Sequence, residues 1–449
     1  MEQKINDSMN KSTYTPFLVD CVRDREGQIP QSVFANAGGV IREIMDYTLA
    51  TSPYPNEPLA LAGATALMSL LCARRFRCGN MDKTNLYIIG LGESGIGKDA
   101  ARQTNKLLLS KIGMGPHLAD MFGSEQALED AMLKDARLLM QYDEIDSLMI
   151  AMKKDPTGSR EGVGRRLKNL FSEKFLQRRR LTGAKLDTSI ADECHLPSMT
   201  LYGTAVTSMF AGNITRKMMV DGLFGRCLFV DAGKRGSFNR NQRYRGDVPK
   251  KLIDELKHVA GYTPFEEEWE ANKPGEPSML IEVFFGEGAE EAADKYREEY
   301  DRQSETSEDD AETTHLRRMY ETVLRLAMLH AVSRNPKSAK YIILPEDLVW
   351  GHEFATAAHH FAVTLTTDFS AENQAEENRK RVCRIIKRAR GEISRSKLYR
   401  YSKLSSKDLT EALETLLEAE IVEERIEPPN DEHDKPSRFY VRGKCFYEV

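Results

Sequence analysis

The sequence has few of the features that mark secreted or membrane-embedded proteins. Its 449 residues include seven cysteines, none of them in a CxxC pair, and two tryptophans. We therefore expect reduced thiols rather than a disulfide framework. The longest apolar run, residues 59–72, is shorter than the roughly 20 residues of a bilayer span, and the start, MEQKINDSMN, has no basic-then-apolar signal pattern. These absences predict a cytoplasmic protein without a membrane segment.

Charge is distributed unevenly along the chain. The formal net charge is −5, yet acids crowd residues 265–312 and bases crowd residues 160–185 and 379–407. In the last of these stretches twelve Lys or Arg face a single acid, Glu392. Concentrated positive charge attracts phosphates, so local patches say more about partners than the net charge does.

The hydrophobic pattern predicts several units. After Asn85, short β-rich runs alternate with amphipathic stretches: LYIIG, HLADMFG, ARLLMQYDE, MTLYGTAV and RCLFVDA. This alternation is typical of the α/β class, with a parallel sheet covered by helices. The predicted units are a helical N-terminal region (1–80), the α/β core (81–235), a charged insertion or linker (236–310), a second helical region (311–375) and a C-terminal domain (376–449).

A glycine-rich turn follows the first of these strands. Gly92, Gly97 and Lys98 form a GxxxxGK pattern between an apolar strand and a helix. Glycines let backbone N–H groups surround phosphates, the helix N-terminus adds positive potential, and the lysine adds a full charge. We therefore predict ATP as ligand, together with Mg²⁺. The predicted binding segment is Gly92, Glu93, Ser94, Gly95, Ile96, Gly97, Lys98, Asp99 and Ala100.

Asp99 stands where such a loop normally ends in Ser or Thr. Its carboxylate is able to ligate a hard cation, although it brings negative charge close to the phosphates. Alternatively, it only favours the first helical turn, where an acid suits the helix dipole. Both interpretations stay open at the level of the sequence.

Further candidate catalytic residues follow at strand ends. The run LLMQYDEID places Asp143 and Glu144 at the predicted carboxyl edge of the sheet, where Asp143 would hold Mg²⁺ and Glu144 would activate water. The next strand, MTLYGTAV, ends near Thr204, which is a candidate for contacting the γ-phosphate or the attacking water. Arg226 precedes the last strand and is a candidate for stabilising a neighbouring subunit's transition state, with Arg216 as a substitute.

The last 70 or so residues have the order of a winged helix. Val382, Ile385 and Ile386 suit a first helix and Leu398 a second, and Ser405 or Ser406 would cap a third helix that buries leucines. Arg395, Lys397 and Arg400 are candidate DNA contacts. The third helix carries four acids, so backbone contact or protein docking is favoured over base reading.

Taken together, GESGIGKD, QYDEID, the Thr204 strand and DGLFGR resemble the ATPase module of AAA+ proteins, and in particular the primase-helicase ATPases of phages, plasmids and other mobile elements. The segment RMYETVLRLAMLHAV is similar to the helical lid of the minichromosome-maintenance (MCM) helicases. This resemblance implies that Arg318 is a sensor arginine contacting the nucleotide. It also implies a pore hairpin, with Arg178, Arg179, Arg180 and Lys185 as candidate DNA contacts.

Two functions follow as expectations. The first is an ATP-dependent DNA helicase or translocase for replication of a mobile element, working as a homo-hexameric ring around single-stranded DNA, with a separate primase as a possible partner. The second is a nucleotide-switched DNA-binding initiator, loader or regulator with slow hydrolysis and no unwinding.

Overall fold

The computed structural model describes residues 27–154, 159–179, 190–214, 216–220, 222–261, 272–277, 279–368, 374–389, 392–427 and 437–443. The helices are α1 (Gln31–Ala35), α2 (Gly39–Thr51), α3 (Glu57–Cys72), α4 (Asp99–Lys111), α5 (Glu125–Lys134), α6 (Asp146–Lys154), α7 (Ser159–Leu170), α8 (Thr207–Ala211), α9 (Arg216–Val220), α10 (Lys250–Ala260), α11 (Ala289–Thr306), α12 (Asp310–Arg334), α13 (Pro345–Asp368), α14 (Gln374–Arg388), α15 (Arg395–Ser402) and α16 (Ser406–Glu418). The strands are β1 (Phe76–Arg77), β2 (Tyr87–Gly92), β3 (Leu118–Ala119), β4 (Arg137–Asp143), β5 (Phe175–Gln177), β6 (Glu193–His195), β7 (Ser198–Val206), β8 (Cys227–Asp231), β9 (Ile281–Phe285), β10 (Tyr341–Ile343), β11 (Ile393–Ser394), β12 (Val422–Glu427) and β13 (Ser437–Arg442).

A five-stranded parallel sheet organises the larger part of the molecule. Its strands lie side by side in the order β3-β4-β7-β2-β8, and every neighbouring pair is parallel. Helices and buried apolar side chains cover both faces. The predicted α/β class with a helix-covered parallel sheet is thus confirmed. Because the strands are parallel, all their carboxyl ends meet at one edge.

Helix α3 is the apolar run of residues 59–72, and it lies across one face of this sheet. Every residue from Leu59 to Cys72 is buried, as expected for a helix that is apolar on all sides. The Asn56 side chain caps it by accepting a hydrogen bond from Leu59 N at 3.0 Å. No helix in the described part of the chain combines the length and apolar character needed to cross a membrane.

The predicted helical regions at 1–80 and 311–375 share one core. α12 packs between α2 and α13, and α13 also packs along the edge strand β8. Trp350 of α13 is buried and donates through Nε1 to Val33 O at 2.9 Å. Asp347 is fully buried and binds both His330, at 2.6 Å, and Arg334, at 3.0 Å. Helices α2 and α3, which precede β2, therefore pack on the central sheet together with α12 and α13.

The predicted charged insertion contains regular structure. Its strand-like piece forms β9, which pairs in parallel with β1 and β10 in a small second sheet. Its acidic helix is α11, and α10 precedes β9. Between β8 and α10 the chain follows an irregular path over residues 232–249.

The C-terminal part contains α14, α15 and α16 beside an antiparallel sheet of order β11-β13-β12. Ser405 caps α16 by accepting from Asp408 N at 3.1 Å, as the sequence predicts. The buried core of this part consists of Val382, Ile386, Ile393, Leu398, Leu404, Leu409, Ala412, Leu413, Leu416, Val422 and Tyr440.

Candidate functional site

The loop between β2 and α4 has the backbone that its glycines predict. Gly95 has φ +75° and Gly97 has φ +95°, a region that side chains with a Cβ rarely adopt. A Cβ on Gly97 would also lie 2.5 Å from the carbonyl oxygen of Tyr54. Conformation and space therefore both require glycine at position 97.

Lys98 folds back over this loop. Its Nζ donates to Gly92 O at 3.3 Å. Burial lowers the pKa of Lys98, and the carboxylates of Asp143, Asp146 and Glu144 oppose that change. A bound phosphate would act in the same direction as these carboxylates, so the lysine is suited to an anionic ligand.

The acidic pair lies at the same edge of the sheet. Asp143 ends β4, and its Oδ1 accepts from Thr204 Oγ1 at 3.0 Å and from Glu144 N at 3.0 Å. The register pairs Asp143 with Thr204, and Thr204 in turn with Gly90 in β2. Thr204 is fully buried. In this structure the buried Thr204 hydroxyl therefore orients the Asp143 carboxylate. Asp143 and Glu144, in contrast to Thr204, are exposed to solvent.

Glu144 is held in an unusual backbone conformation. Its φ is +54°, the left-handed region, which costs a residue with a Cβ about 1–2 kcal/mol. The next residue fixes the turn, because Ile145 N donates to Thr204 O at 3.0 Å and Ile145 is buried. The turn thus presents the Glu144 carboxylate to solvent beside the phosphate loop.

Arg102 is the functional candidate that the sequence analysis missed. It lies on α4, one turn after Asp99, and its Nη2 contacts both Asp99 Oδ1 and, at 2.8 Å, Asp143 Oδ2. The Arg102 side chain is 15% exposed and that of Asp99 is 74% exposed. The three-residue spacing from Asp99 was a possible signal, but the link to Asp143 depends on how α4 packs beside β4.

The donor set allows a limited test of the predicted cation. Among the described residues no cluster of three His, Cys, Asp or Glu side chains is placed to hold a metal. Asp143 and Asp99 offer carboxylates that one arginine already bridges. Mg²⁺ is commonly held by one or two carboxylates together with substrate phosphates and water, so the residue types fit, but a bound Mg²⁺ would replace Arg102 as the partner of Asp143.

Arg226 lies at the opposite end of the sheet. It ends a short helical turn before β8, where Cys227 pairs with Tyr87 at the start of β2. The six residues of β2 separate that end from the phosphate loop by about 20 Å. Arg226 donates to Gly222 O and stands over the Phe171 ring at 5.8 Å. It therefore lies beyond reach of its own chain's loop.

Arg318 lies beside Arg226 rather than beside the loop. Its Nη1 donates to Thr314 O at 2.9 Å. Burial lowers the pKa of Arg318, and the charge of Arg226 lowers it further. The side chain of Arg216, the substitute for Arg226, is outside the described residues.

A cavity of about 450 Å³ opens at this end of the sheet, where the amino ends of its strands lie. Lys83, in its wall, donates to the carbonyls of Leu170, Glu173 and Pro197, each at 2.7 Å. Burial lowers the pKa of Lys83 to about 7. Arg325, also in the wall, donates to Asn85 O at 3.1 Å and lies over the Phe171 ring at 4.2 Å. Lys83 and Arg325 are thus hydrogen-bonded to groups of their own chain. The candidate ligand-binding residues lie at the carboxyl end of the sheet.

The predicted pore-hairpin residues have internal partners where they are described. Arg178 Nη1 donates to Ile190 O at 3.2 Å. Arg179 pairs with Glu125 at 2.6 Å and with Glu129 at 3.1 Å. Arg180 and Lys185 lie outside the described residues. β5 and β6 pair antiparallel on either side of this stretch.

The three C-terminal candidates differ from one another. Arg395 donates to Tyr440 Oη at 3.0 Å and to Thr410 Oγ1 at 2.7 Å, so it supports the domain's packing. Lys397 and Arg400 are exposed on α15, beside Tyr399 and Tyr401, which are 49% and 61% exposed. Only the latter two cations lie on an open surface.

Comparison with protein-family models yields no match for this chain, and comparison with curated proteins yields none either. The geometry of the site therefore carries the functional argument.

Proposed function

We propose that the chain is a P-loop ATPase of the AAA+ class that drives movement along DNA as a ring oligomer, resembling mobile-element primase-helicase ATPases and MCM helicases. One observation carries the proposal. The register of β4, β7 and β2 gathers the phosphate loop, Asp143 with Glu144, and Thr204 at a single edge of the sheet. Strand ends at such an edge are where open α/β sheets bind ligands.

Each residue at the edge has a role in hydrolysis. Lys98 and the loop N–H groups would hold the phosphates, and Asp143 would hold Mg²⁺, which neutralises charge on the phosphate oxygens. The exposed Glu144 carboxylate would accept the proton of the water that attacks the γ-phosphoryl group. Thr204, through its hydrogen bond to Asp143, keeps that carboxylate aimed at the site.

The position of two arginines supports the proposed ring. Arg226 and Arg318 lie together at the amino end, about one strand length from their own loop. A guanidinium that cannot reach its own triphosphate is able to serve that of an adjacent copy, where it stabilises transition-state charge. We therefore assign both arginines to action in trans, in a homo-oligomer such as a hexamer.

DNA contact is proposed for the segment that connects β5 to β6, whose residues 180–189 lie outside the described part of the chain, and for Lys397 and Arg400. In the C-terminal part, three helices with a three-stranded antiparallel sheet support the winged-helix assignment. A primase would act as a separate partner.

A second function, the nucleotide-switched loader or initiator, is favoured by Arg102. Its guanidinium bridges Asp99 and Asp143. Asp143, the proposed Mg²⁺ ligand, is therefore paired with a cation, and hydrolysis would require the Arg102–Asp143 ion pair to break. Such a protein would bind ATP and DNA but turn over slowly.

The test combines ATP hydrolysis with unwinding of a forked duplex. We expect Lys98→Ala to lose ATP binding, and Glu144→Gln to bind ATP and assemble but to lose hydrolysis by at least about 100-fold. If the unmodified protein hydrolyses ATP yet never unwinds, the loader function replaces the helicase. If it neither binds nor hydrolyses ATP, the ATPase assignment fails.

A further inference from the structure

The irregular segment after β8 is unusually basic. Between Gly233 and Gly246 it carries five Lys or Arg and no acid, interleaved with Phe238 and Tyr244. We call residues 233–246 the basic strap. The sequence analysis divided it between the core and a charged linker and assigned it no role.

The basic strap is held in place by its backbone. Asn239 N donates to Pro53 O at 2.8 Å, and Arg243 N donates to Ala50 O at 2.8 Å. The Arg235 guanidinium lies 3.7 Å above the Tyr54 ring, and the Phe238 ring lies 5.6 Å from the same ring. Arg245 donates to Ala100 O at 3.4 Å. These contacts attach the basic strap to the turn before α3 and to the start of α4.

The same contacts leave other side chains open to solvent. Lys234, Arg240 and Arg243 are exposed. In the part of the chain that the structure describes, no ion pair joins these three to an acid. Phe238 is 54% exposed and Tyr244 77% exposed, among the most exposed large apolar side chains described. A fixed backbone thus displays three unneutralised cations and two aromatic faces.

We propose that the basic strap binds single-stranded nucleic acid, its cations contacting backbone phosphates and its aromatic rings stacking on bases. A positively charged track with interspersed aromatic side chains is the combination by which proteins hold single strands without sequence preference. A duplex keeps its bases stacked inside and would leave the aromatic faces unused. An acidic protein would satisfy the cations but not the two rings, so a single strand uses more of the surface.

This inference rests on the proposed function only in that both need a nucleic-acid partner. It requires neither ATP hydrolysis nor a ring. The predicted pore-hairpin cations that are described pair with acids or carbonyls within the chain, whereas Lys234, Arg240 and Arg243 of the basic strap have no such ion pair among the described residues. The strap is therefore the better candidate for strand affinity in the absence of nucleotide.

The test measures binding of a labelled oligothymidylate to the full chain without nucleotide, over a range of salt concentrations. The charge variant combines Lys234→Gln, Arg240→Gln and Arg243→Gln. Each lost phosphate contact removes about 0.7 from the slope of log affinity against log salt. We expect the slope to fall by about 2 and the affinity at low salt to fall roughly 100-fold. The matched control, Lys106→Gln with Lys295→Gln and Lys337→Gln, removes the same charge from exposed sites elsewhere and should keep the slope.

A second pair of variants tests stacking. Tyr244→Ala should weaken binding roughly tenfold without changing the salt slope, and Tyr244→Phe should bind as the unmodified protein does. Unchanged unfolding transitions would show that all variants fold.

Several outcomes would overturn the inference. The inference fails if the charge variant and its control bind oligothymidylate alike. It also fails if polyglutamate competes as well as oligothymidylate at equal ionic strength, or if the charge variant loses only self-association. Failure of the proposed function is distinguishable. A protein that hydrolyses ATP but binds no strand rejects the strap and DNA assignments and leaves the ATPase, whereas one that binds strands without hydrolysis retains the strap alone.

Discussion

The two ends of the central sheet differ in the solvent exposure of their charged side chains. At the carboxyl end, Lys98, Asp143 and Glu144 are partly or largely open to solvent around a glycine loop. At the amino end, Lys83 and Arg325 are buried and bound to carbonyl groups of their own chain. Charges at the carboxyl end are accessible to solvent, whereas Lys83 and Arg325 at the amino end bind groups of their own chain.

Arg226 and Arg318 are the exception at the amino end. Both are only partly buried, and they repel each other. The nearby carboxylate of Glu321 offsets part of this repulsion, because its charge raises the pKa of both arginines. The proposed function supplies a further anionic partner, the triphosphate of the next subunit. One chain thus carries the two halves of the proposed catalytic site at opposite ends of the same sheet.

The largest expected effect comes from inactivating each half of the proposed catalytic site separately. Arg226→Ala and Glu144→Gln should each lower ATP turnover by about 10³-fold when present in every subunit. Mixing the two variants should restore part of the activity, because some interfaces then combine an intact loop side with an intact arginine. The measurement is ATP turnover against mixing ratio. Turnover that stays at the level of the separate variants at every ratio would mean that the two residues do not serve a shared site.

The next effect concerns pH at the amino end. His315 is buried with Nε2 3.4 Å from Cys227 O, beside His359. Burial lowers its pKa to about 3, and the charge of His359 adds to this. Between pH 6.5 and 3 the unfolded chain therefore binds more protons at this site than the folded chain, so stability falls as pH falls. From pH 7 to pH 5 this one histidine should remove about 2 kcal/mol from the free energy of unfolding.

Urea unfolding at the two pH values measures this loss. His315→Asn should make the pH dependence shallower by the same amount. Equal pH dependence of the variant and the unmodified protein would show that His315 is not held neutral at this end of the sheet.

A smaller effect tests the carboxyl end. Asp99 is largely exposed, so solvent screens its charge. We expect Asp99→Ser to raise MgATP affinity about fivefold. This factor corresponds to roughly 1 kcal/mol, the repulsion between two close charges in water. Asp99→Asn, which removes the charge without adding a hydroxyl, should give the same gain. A loss of affinity in both variants would instead make Asp99 a metal ligand.

The smallest effect concerns backbone strain at Glu144. Glycine adopts positive φ without cost, so Glu144→Gly should unfold at higher denaturant than Glu144→Gln, by about 0.5–1 kcal/mol. Both variants lack the carboxylate and should be equally inactive. Equal stability of the two would indicate that this turn is unstrained.

Much of the fold was predictable because its signals are local. The glycines at 95 and 97, the Ser405 cap and the apolar runs that became β2, β4, β7 and β8 each depend on a few neighbouring residues. The position of Asp143 and Glu144 at the carboxyl edge of the sheet was predictable for the same reason, since parallel strands end at a common edge. The AAA+ and helicase assignments stay predictions that the experiments above test.

What could not be predicted depends on distant partners. The basic run that includes Arg179 looked available for DNA, but Glu125 and Glu129, some 50 residues earlier, pair with that arginine. Arg102 looked like an ordinary helix residue until the packing of α4 brought it to Asp143. The basic strap was divided between the core and the linker because the residues that hold it, Ala50 and Pro53, lie about 190 residues earlier in the chain.

By itself, the sequence determined the phosphate-loop backbone, the alternation of strands and helices, and the residues that end each strand, because dihedral preference and hydrophobic periodicity act over a few residues. Only the tertiary structure decided which charges remain open. It bound Lys83 and Arg325 to carbonyl groups at the amino end of the sheet, linked Arg102 to two acids and left Lys234, Arg240 and Arg243 exposed. Charge pairing depends on which groups packing brings within a few ångströms, and sequence spacing does not encode that distance.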